Sequence, residues 1–157
     1  MAKVRDMIRM SEAEIAACMV ECKSLNVATL GKDGAPHLTT LWFALHDGNI
    51  LFETYGTSQK IVNLRRDPRI AVLSEAGEAY AELRGVSITG RAEIVDASPR
   101  KEDLMAVIVR RNAPHIAPDA FDAHVEKMCR KRVVVVVHPD KSFSWDHRKL
   151  ADNGPLA

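Results

Sequence analysis

The chain has 157 residues, of which 46% are hydrophobic, and its 22 basic and 21 acidic side chains give a formal net charge of +1. A chain of this length can bury one core without disulfides, and so balanced a charge argues against broad nucleic-acid or membrane-surface binding. An odd number of cysteines, with no apolar run of signal-peptide or membrane-span length, predicts a cytoplasmic protein with one domain spanning residues 1–157.

The first half of the sequence predicts one helix and three strands. Ser11 followed by Glu14 is a capping-box pattern, which places an N-terminal helix within residues 1–24, from about residue 12 to residue 23. Two turns that contain Asp-Gly then join three apolar segments, LNVATL, PHLTTLWFAL and ILFETY. Strands connected by such turns form an antiparallel meander.

The second half predicts a short helix over residues 58–66, a second hairpin (RIAVLSEA and YAELRGVSITGRAEIVD) and a helical insertion over residues 98–131. Gly85 and Gly90 lie inside a predicted strand, where glycines often mark bulges. Ser98 is a candidate N-cap, with Pro99 at the first helical position. The segment VVVVVHPD predicts a strand buried on both faces, and residues 151–157 form a tail. Six strands without βαβ alternation indicate a mainly β protein, an antiparallel β-barrel with added helices.

The segment TYGTSQK places hydroxyl groups and a lysine where a strand ends and a helix begins. The first turn of a helix has unpaired backbone N–H groups, and its dipole favours negative charge. Ser58 and Lys60 could therefore bind a phosphate that Gly56 allows to approach closely. The alternative is an ordinary N-cap by Thr57 or Ser58 followed by a surface lysine.

The two tryptophans and two of the cysteines each allow two interpretations. Trp42 is either a core residue of a strand or part of a binding site, and Trp145 is either a docked aromatic near the C-terminus or a contact for a flat anionic ligand or a partner subunit. Cys18 and Cys22 lie one helical turn apart, which suits either two metal ligands or packing on a buried helix face. The histidines form no HxH or HExxH pattern and no dinucleotide, nucleotide or serine-hydrolase motif is present, so no metal site is predicted.

Four blocks of the sequence together resemble the pyridoxamine-5'-phosphate-oxidase-like split barrels, and most closely the branch that uses the deazaflavin coenzyme F420. The blocks are LNVATLGKDGAPHLTTLWFAL, TYGTSQKIVNLRRDPRIAVL, YAELRGVSITGRAEIV and SWDHRKL. The resemblance implies a homodimer of six-stranded split β-barrels of Greek-key type, with a flavin-type cofactor in a groove at the subunit interface. It also implies that Trp145 reaches the cofactor of the opposite subunit. The cofactor-binding residues that it implies are His37, Thr39, Thr40, Leu41, Trp42, Thr54, Tyr55, Ser58, Gln59, Lys60, Arg84 and Trp145.

One departure from the family pattern bears on the cofactor. Oxidases of pyridoxamine phosphate carry an arginine at the start of the second strand and a lysine at its end, where this sequence has His37 and Trp42. The expected cofactor is therefore F420, with FMN as the alternative. The expected activity is hydride transfer from reduced F420 to an electron-poor small molecule, with no catalytic side chain of its own, because such chemistry belongs to the cofactor. The alternatives are an FMN-dependent oxidoreductase and a split barrel that binds flavin or haem without turnover.

Overall fold

The computed structural model describes residues 4–151, so the predicted tail lies, apart from Ala151, outside the described residues. The seven strands are β1 (Ser24–Leu30), β2 (Pro36–Trp42), β3 (Ala44–His46), β4 (Asn49–Tyr55), β5 (Arg69–Ala76), β6 (Arg84–Val95) and β7 (Arg132–Asp146). The helices are α1 (Val4–Met7), α2 (Glu12–Glu21), α3 (Gln59–Arg66), α4 (Arg100–Asn112), α5 (Pro118–Cys129) and α6 (Arg148–Ala151), with a 3-10 turn at Tyr80–Glu82. Among the described residues, no helix is both long and apolar enough to cross a membrane.

The strands form one antiparallel sheet in the order β2-β1-β5-β6-β7-β4-β3. The two edge strands, β2 and β3, are consecutive in the chain, so the sheet curls until its two edges meet across residue 43. This arrangement confirms the predicted mainly β fold, a split barrel with added helices. The predicted second strand is broken in two, which gives seven strands rather than six. The break occurs because the Phe43 carbonyl accepts hydrogen bonds from Arg111 and Asn112 of α4.

Two hydrophobic clusters lie on opposite sides of the sheet. One fills the barrel and includes residues of α2 and α3, whereas the other lies under α4 and α5. Strand β7 contributes to both, since Val133, Val135 and Val137 belong to the first cluster and Val134 and Val136 to the second. The prediction that the segment VVVVVHPD is buried on both faces is confirmed for residues 133–137, whereas residues 138–140 are exposed.

The capping box of α2 forms as predicted, with the Glu14 backbone N–H donating to Ser11 Oγ (3.3 Å) and the Ser11 N–H donating to the Glu14 carboxylate (2.6 Å). At the other end of this helix, the sulfur atoms of Cys18 and Cys22 lie 3.9 Å apart in the core. Burial raises the pKa of the Cys18 thiol to about 11. Both side chains therefore pack as small apolar groups, the second of the two interpretations.

The insertion and the long strand β6 differ in detail from the sequence prediction. Helix α4 begins at Arg100 with Pro99 as its N-cap residue, one position later than predicted, and the Ser98 hydroxyl instead bonds the Glu102 carboxylate (2.7 Å). The predicted bulge occurs at Gly90, where the pairing of β6 with β7 shifts register. A Cβ atom at Gly90 would lie 2.1 Å from the His138 carbonyl oxygen, so the bulge requires glycine.

Candidate functional site

Strand β2 divides its predicted site residues between the two faces of the sheet. His37, Thr39 and Leu41 are half-buried, and their partners on β1 include the buried residues Thr29, Val27 and Leu25. Directly paired residues share a face, so these three side chains point into the barrel. Thr40 and Trp42 point outward; Thr40 Oγ1 donates to Asn26 Oδ1 (2.6 Å), and Trp42 is 60% exposed.

The first turn of α3 does not contain the ordinary N-cap that a Ser-initiated helix would have. Ser58 is the N-cap residue by position, but its side chain makes no capping hydrogen bond. Its Oγ atom instead accepts a hydrogen bond from Thr54 Oγ1 at the end of β4 (3.3 Å). The backbone N–H groups of Gln59 and Lys60 have no acceptor among the described residues. These groups, together with the helix dipole, create a positive potential at this end of α3.

Lys60 adds a positive charge to the same turn. Its ammonium donates to Thr54 Oγ1 (3.3 Å), so the side chain folds over the end of β4. Burial lowers the pKa of Lys60, and the nearby Glu53 carboxylate partly opposes that effect. Glu53 itself is paired with Arg132 (2.6 Å), and Lys60 has no ion-pair partner among the described carboxylates. The charge of Lys60 is therefore available to an anion.

A cavity of about 700 Å³ lies between α3 and the β1–β2 hairpin. It is lined by the buried Asn63, the half-buried His37 and the exposed Gln59, together with the hairpin turn that contains Lys32 and Asp33. Sequence reasoning had identified His37 and Gln59 as members of one site, and the structure places both on this cavity.

Asn63 is a residue of this cavity that sequence reasoning missed. Its side chain is completely buried; Oδ1 accepts from Gln59 Nε2 (2.9 Å) and Nδ2 donates to Thr29 Oγ1 (3.0 Å). The sequence signal is an amide next to Leu64 on the core-facing side of a short helix. A buried amide is retained only where its hydrogen bonds are made, so Asn63 fixes Gln59 at the cavity wall.

Two polar atoms on the inward face of β2 have no hydrogen-bond partner in the described part of the chain. They are His37 Nδ1 and Thr39 Oγ1, and both atoms are buried. Buried polar atoms are nearly always hydrogen-bonded, so each exception calls for an explanation. Both lie on the inward face of β2, and of the two residues His37 is the one that lines the cavity.

The remaining predicted site residues lie away from this cavity within one chain. Tyr55 is half-exposed on the other face of β4, where the Arg132 guanidinium lies over its ring at 4.3 Å. Arg84, at the start of β6, forms an ion pair with Glu21 of α2 (2.5 Å). The Tyr55 carbonyl accepts from the Ser58 backbone N–H (2.9 Å), but no hydrogen bond or ion pair joins the side chain of Tyr55 or Arg84 to His37, Ser58 or Lys60 among the described residues.

Trp145 also lies far along the sheet from the α3 turn. It is paired with Gly85 across β6 and β7, and its indole covers that glycine so closely that an added Cβ would lie 2.4 Å from the ring. The Phe143 ring lies 5.7 Å away from it. The predicted bulge at Gly85 is absent, and this glycine is instead the surface on which Trp145 packs.

The fold and the arrangement of these residues match a known family. The model for pyridoxamine 5'-phosphate oxidase matches residues 11–146. The chain belongs to this family. The four sequence blocks that resemble it therefore do reflect membership, and the polar turn of α3 lies within the matched region.

Solved structures give the same fold. A conserved hypothetical protein from Mycobacterium tuberculosis, Rv2991, is 42% identical, with a TM-score of 0.88 over 99% of this chain and 96% of that chain. A protein described as an F420 reductase is 23% identical, with a TM-score of 0.62 over 85% of this chain and 98% of that one. HutZ, the haem storage protein from Vibrio cholerae, is 15% identical, with a TM-score of 0.69 over 85% of this chain and 94% of that chain. No curated protein matches the chain.

Proposed function

We propose that this protein is an oxidoreductase that binds the deazaflavin F420 and passes a hydride from it to an electron-poor organic molecule. The observation that carries the proposal is the first turn of α3, where Ser58 does not cap the helix and the Lys60 ammonium has no carboxylate partner among the described residues. Both features suit a phosphate, which F420 and FMN each carry. The likeness to an F420 reductase and the replacement of the expected basic residues by His37 and Trp42 favour the deazaflavin.

The residues that would hold the cofactor fit its two ends. Ser58, Lys60 and the free N–H groups of α3 would bind the phosphate, and the inward face of β2, with His37 and Thr39, would line the ring. The bound cofactor supplies the hydride, and the chain supplies its position and its electrostatic surroundings. No described side chain is assigned an acid, base or nucleophile role.

The direct test is a pair of binding titrations with F420 and FMN, followed by oxidation of enzymatically reduced F420 in the presence of nitroaromatic or quinone acceptors. Tight binding of F420 with turnover of an acceptor supports the proposal. Preferential binding of FMN would replace it with the FMN-dependent alternative. Since HutZ, a haem storage protein, has the same fold, binding without any turnover would favour a carrier role.

The family resemblance implies a second copy of the chain, and the outward face of the sheet is where we propose that it binds. The outward face of the sheet exposes three large apolar side chains, Leu38 (67%), Trp42 (60%) and Phe143 (44%). A homodimer that covers this face would bury them and place Trp145 of one chain beside the groove of the other. Such an interface is expected to bury more than about 1,000 Å².

We expect light scattering at micromolar concentration to give twice the mass of one chain. The double substitution Leu38→Asp and Trp42→Asp should shift the protein toward monomer, because each carboxylate would be buried at the interface. A matched substitution on the exposed surface of α5, Ala123→Asp, should leave the mass unchanged. A parent protein with the mass of one chain would contradict the dimer.

Trp145 is proposed to contact the cofactor of the partner subunit. Trp145→Ala should then weaken F420 or FMN binding roughly threefold to tenfold, the equivalent of one aromatic contact, while the protein stays folded. A purely structural tryptophan would instead cost about 3–5 kcal/mol of stability on truncation. Cofactor titrations and thermal melts of the same variant separate these roles. Tyr80→Ala, which removes another exposed aromatic ring, is the control and should leave affinity unchanged.

A further inference from the structure

Four charged side chains form a cluster behind the strand end that carries Trp145. They are Glu21 at the end of α2, Arg84 at the start of β6, Asp146 at the end of β7 and Arg148 in α6. Glu21 forms an ion pair with Arg84 (2.5 Å). Asp146 forms another with Arg148 (2.6 Å). Because Arg84 and Asp146 are directly paired across the two strands, the charges alternate in sign through the cluster.

The charged cluster and Trp145 lie on opposite faces of the same two strand ends. Alternate residues of a strand share a face, so Arg84 points to the barrel side with the buried Val86. Directly paired residues also share a face, which places Asp146 on that side too. Gly85 and Trp145, the pair between these positions in the chain, therefore point outward. The indole is packed on one face, and the backbone that carries it is held from the other.

Arg84 and Asp146 are the least exposed members of this cluster. Their side chains are 17% and 6% exposed. Hydrogen bonds from Arg148 and, to a smaller extent, the charge of Arg84 lower the pKa of Asp146, although burial opposes them, so its carboxylate stays ionised. An ion pair removed from water adds little net stability, whereas the loss of one member leaves the other uncompensated. Such a cluster is better suited to fixing the positions of four elements than to stabilising them.

Backbone hydrogen bonds hold the residues that follow Trp145. The Asp146 N–H donates to the Ile8 carbonyl (2.7 Å), and the His147 N–H donates to the Leu83 carbonyl (2.8 Å). Leu83 immediately precedes Arg84, so these bonds and the charged cluster act on the same two chain segments. The direction of the indole therefore depends on how the start of β6 and the end of β7 are fixed to each other.

We propose that Arg84 is a positioning residue for Trp145: with Glu21 and Asp146 it fixes the strand end from which the indole reaches the cofactor of the partner subunit. Arg84 does not bind the cofactor itself, which replaces the direct role that the family resemblance implies for it. This inference rests on the proposed function, because it concerns the contact of Trp145 with the same cofactor.

Glu21→Gln separates positioning from direct binding, because it removes the ion-pair partner of Arg84 and keeps Arg84 itself. If Arg84 bound the anionic cofactor directly, its release from Glu21 would leave FMN and F420 binding unchanged or make it tighter. A positioning role predicts the opposite, a loss of roughly threefold to tenfold, as for Trp145→Ala. The Glu21 side chain is 55% exposed, so the variant should fold. Glu12→Gln, at an exposed position of the same helix, is the control and should leave both affinities unchanged.

A double-mutant cycle tests whether the effect of Arg84 passes through Trp145. Arg84→Gln alone should weaken cofactor binding by roughly threefold to tenfold. In the Trp145→Ala background it should cause less than about a twofold further loss, because the indole that it positions is absent. Arg91→Gln, which removes an exposed arginine of the same strand, controls for the change in net charge and should have no effect in either background.

Fluorine NMR of protein labelled with fluorotryptophan follows the indole without cofactor. The chain has two tryptophans, so the signal that Trp145→Ala removes is that of Trp145. Glu21→Gln and Arg84→Gln should each shift or broaden this signal and leave that of Trp42 in place. Glu12→Gln should leave both signals where they are.

Three results would overturn this inference while leaving the proposed function intact. They are unchanged or tighter cofactor binding in Glu21→Gln, a loss from Arg84→Gln that persists in full in the Trp145→Ala background, and a Trp145 signal that neither variant moves. A parent protein that binds neither FMN nor F420 would overturn the proposed function itself, and the inference with it. Weaker binding in both single variants, no further loss without Trp145 and a shifted Trp145 signal support the inference.

Discussion

Arg111→Ala is expected to lower the free energy of unfolding by about 3 kcal/mol, because one guanidinium serves four backbone carbonyl groups. Its Nη1 atom donates to the carbonyl of Phe43 (2.7 Å), and Nη2 donates to those of Met19 (2.9 Å), Val20 (3.1 Å) and Cys22 (2.6 Å). The guanidinium also lies over the Phe43 ring, 4.1 Å from its centroid. Hydrogen bonds from a charged donor are among the stronger ones in proteins.

These contacts join three parts of the fold. Arg111 belongs to α4, three of its acceptors lie at the C-terminal end of α2, and the fourth lies at the break between β2 and β3. The positive charge offsets the negative end of the α2 dipole. Without it, the end of α2 loses its partner and the Phe43 carbonyl keeps only the Asn112 amide, at 3.1 Å.

Denaturant unfolding of Arg111→Ala, Arg111→Lys and Arg110→Ala measures this contribution. Arg111→Lys should recover only part of the loss, since a single ammonium cannot reach all four carbonyls. Arg110 is the matched control, because its side chain is exposed and lies over Phe121 at 5.2 Å; its removal should cost less than about 1 kcal/mol. Equal losses for Arg110→Ala and Arg111→Ala would contradict this account of the barrel closure.

The same arginine explains why the barrel could be predicted from the sequence but the break between β2 and β3 could not. Strand pairing follows from local features, namely two Asp-Gly turns, alternating apolar residues and a run of valines buried on both faces. The break at Phe43 depends instead on hydrogen bonds from Arg111, 68 residues further along the chain. No pattern near residue 43 indicates that a distant guanidinium will replace a strand neighbour.

The candidate site, too, could be predicted from the sequence only in part. The TYGTSQK segment was recognisable because the strand end, the turn and the helix start are adjacent in sequence. The burial of Asn63 could not be recognised from the sequence, because its partner Thr29 lies 34 residues away and becomes a neighbour only when α3 packs on β1. The sequence left open whether Trp145 docks on its own chain or contacts a ligand or a partner subunit; within its own chain it covers Gly85, whose missing side chain makes room for the indole.

Lys60→Gln is expected to weaken binding of the phosphorylated cofactor about 10- to 100-fold, because it removes a charge-assisted contact worth about 1.5–3 kcal/mol. Glutamine keeps most of the side-chain length and can still bond to Thr54, so the turn should keep its shape. The stability of the ligand-free protein should not decrease either. Burial lowers the pKa of Lys60, which means that the folded state disfavours its charged form relative to the unfolded state. Removing that charge therefore leaves the ligand-free melting temperature at or slightly above that of the parent.

Isothermal titrations with the intact cofactor and with its phosphate-free analogue assign this effect to the anion. The analogue should bind the parent and Lys60→Gln about equally, because its ring does not use the lysine. Lys127→Gln, on the exposed surface of α5, makes the same change in net charge and should leave both affinities within about twofold of the parent. If Lys60→Gln binds the intact cofactor as tightly as Lys127→Gln does, Lys60 serves only Thr54, and the first turn of α3 does not bind the phosphate.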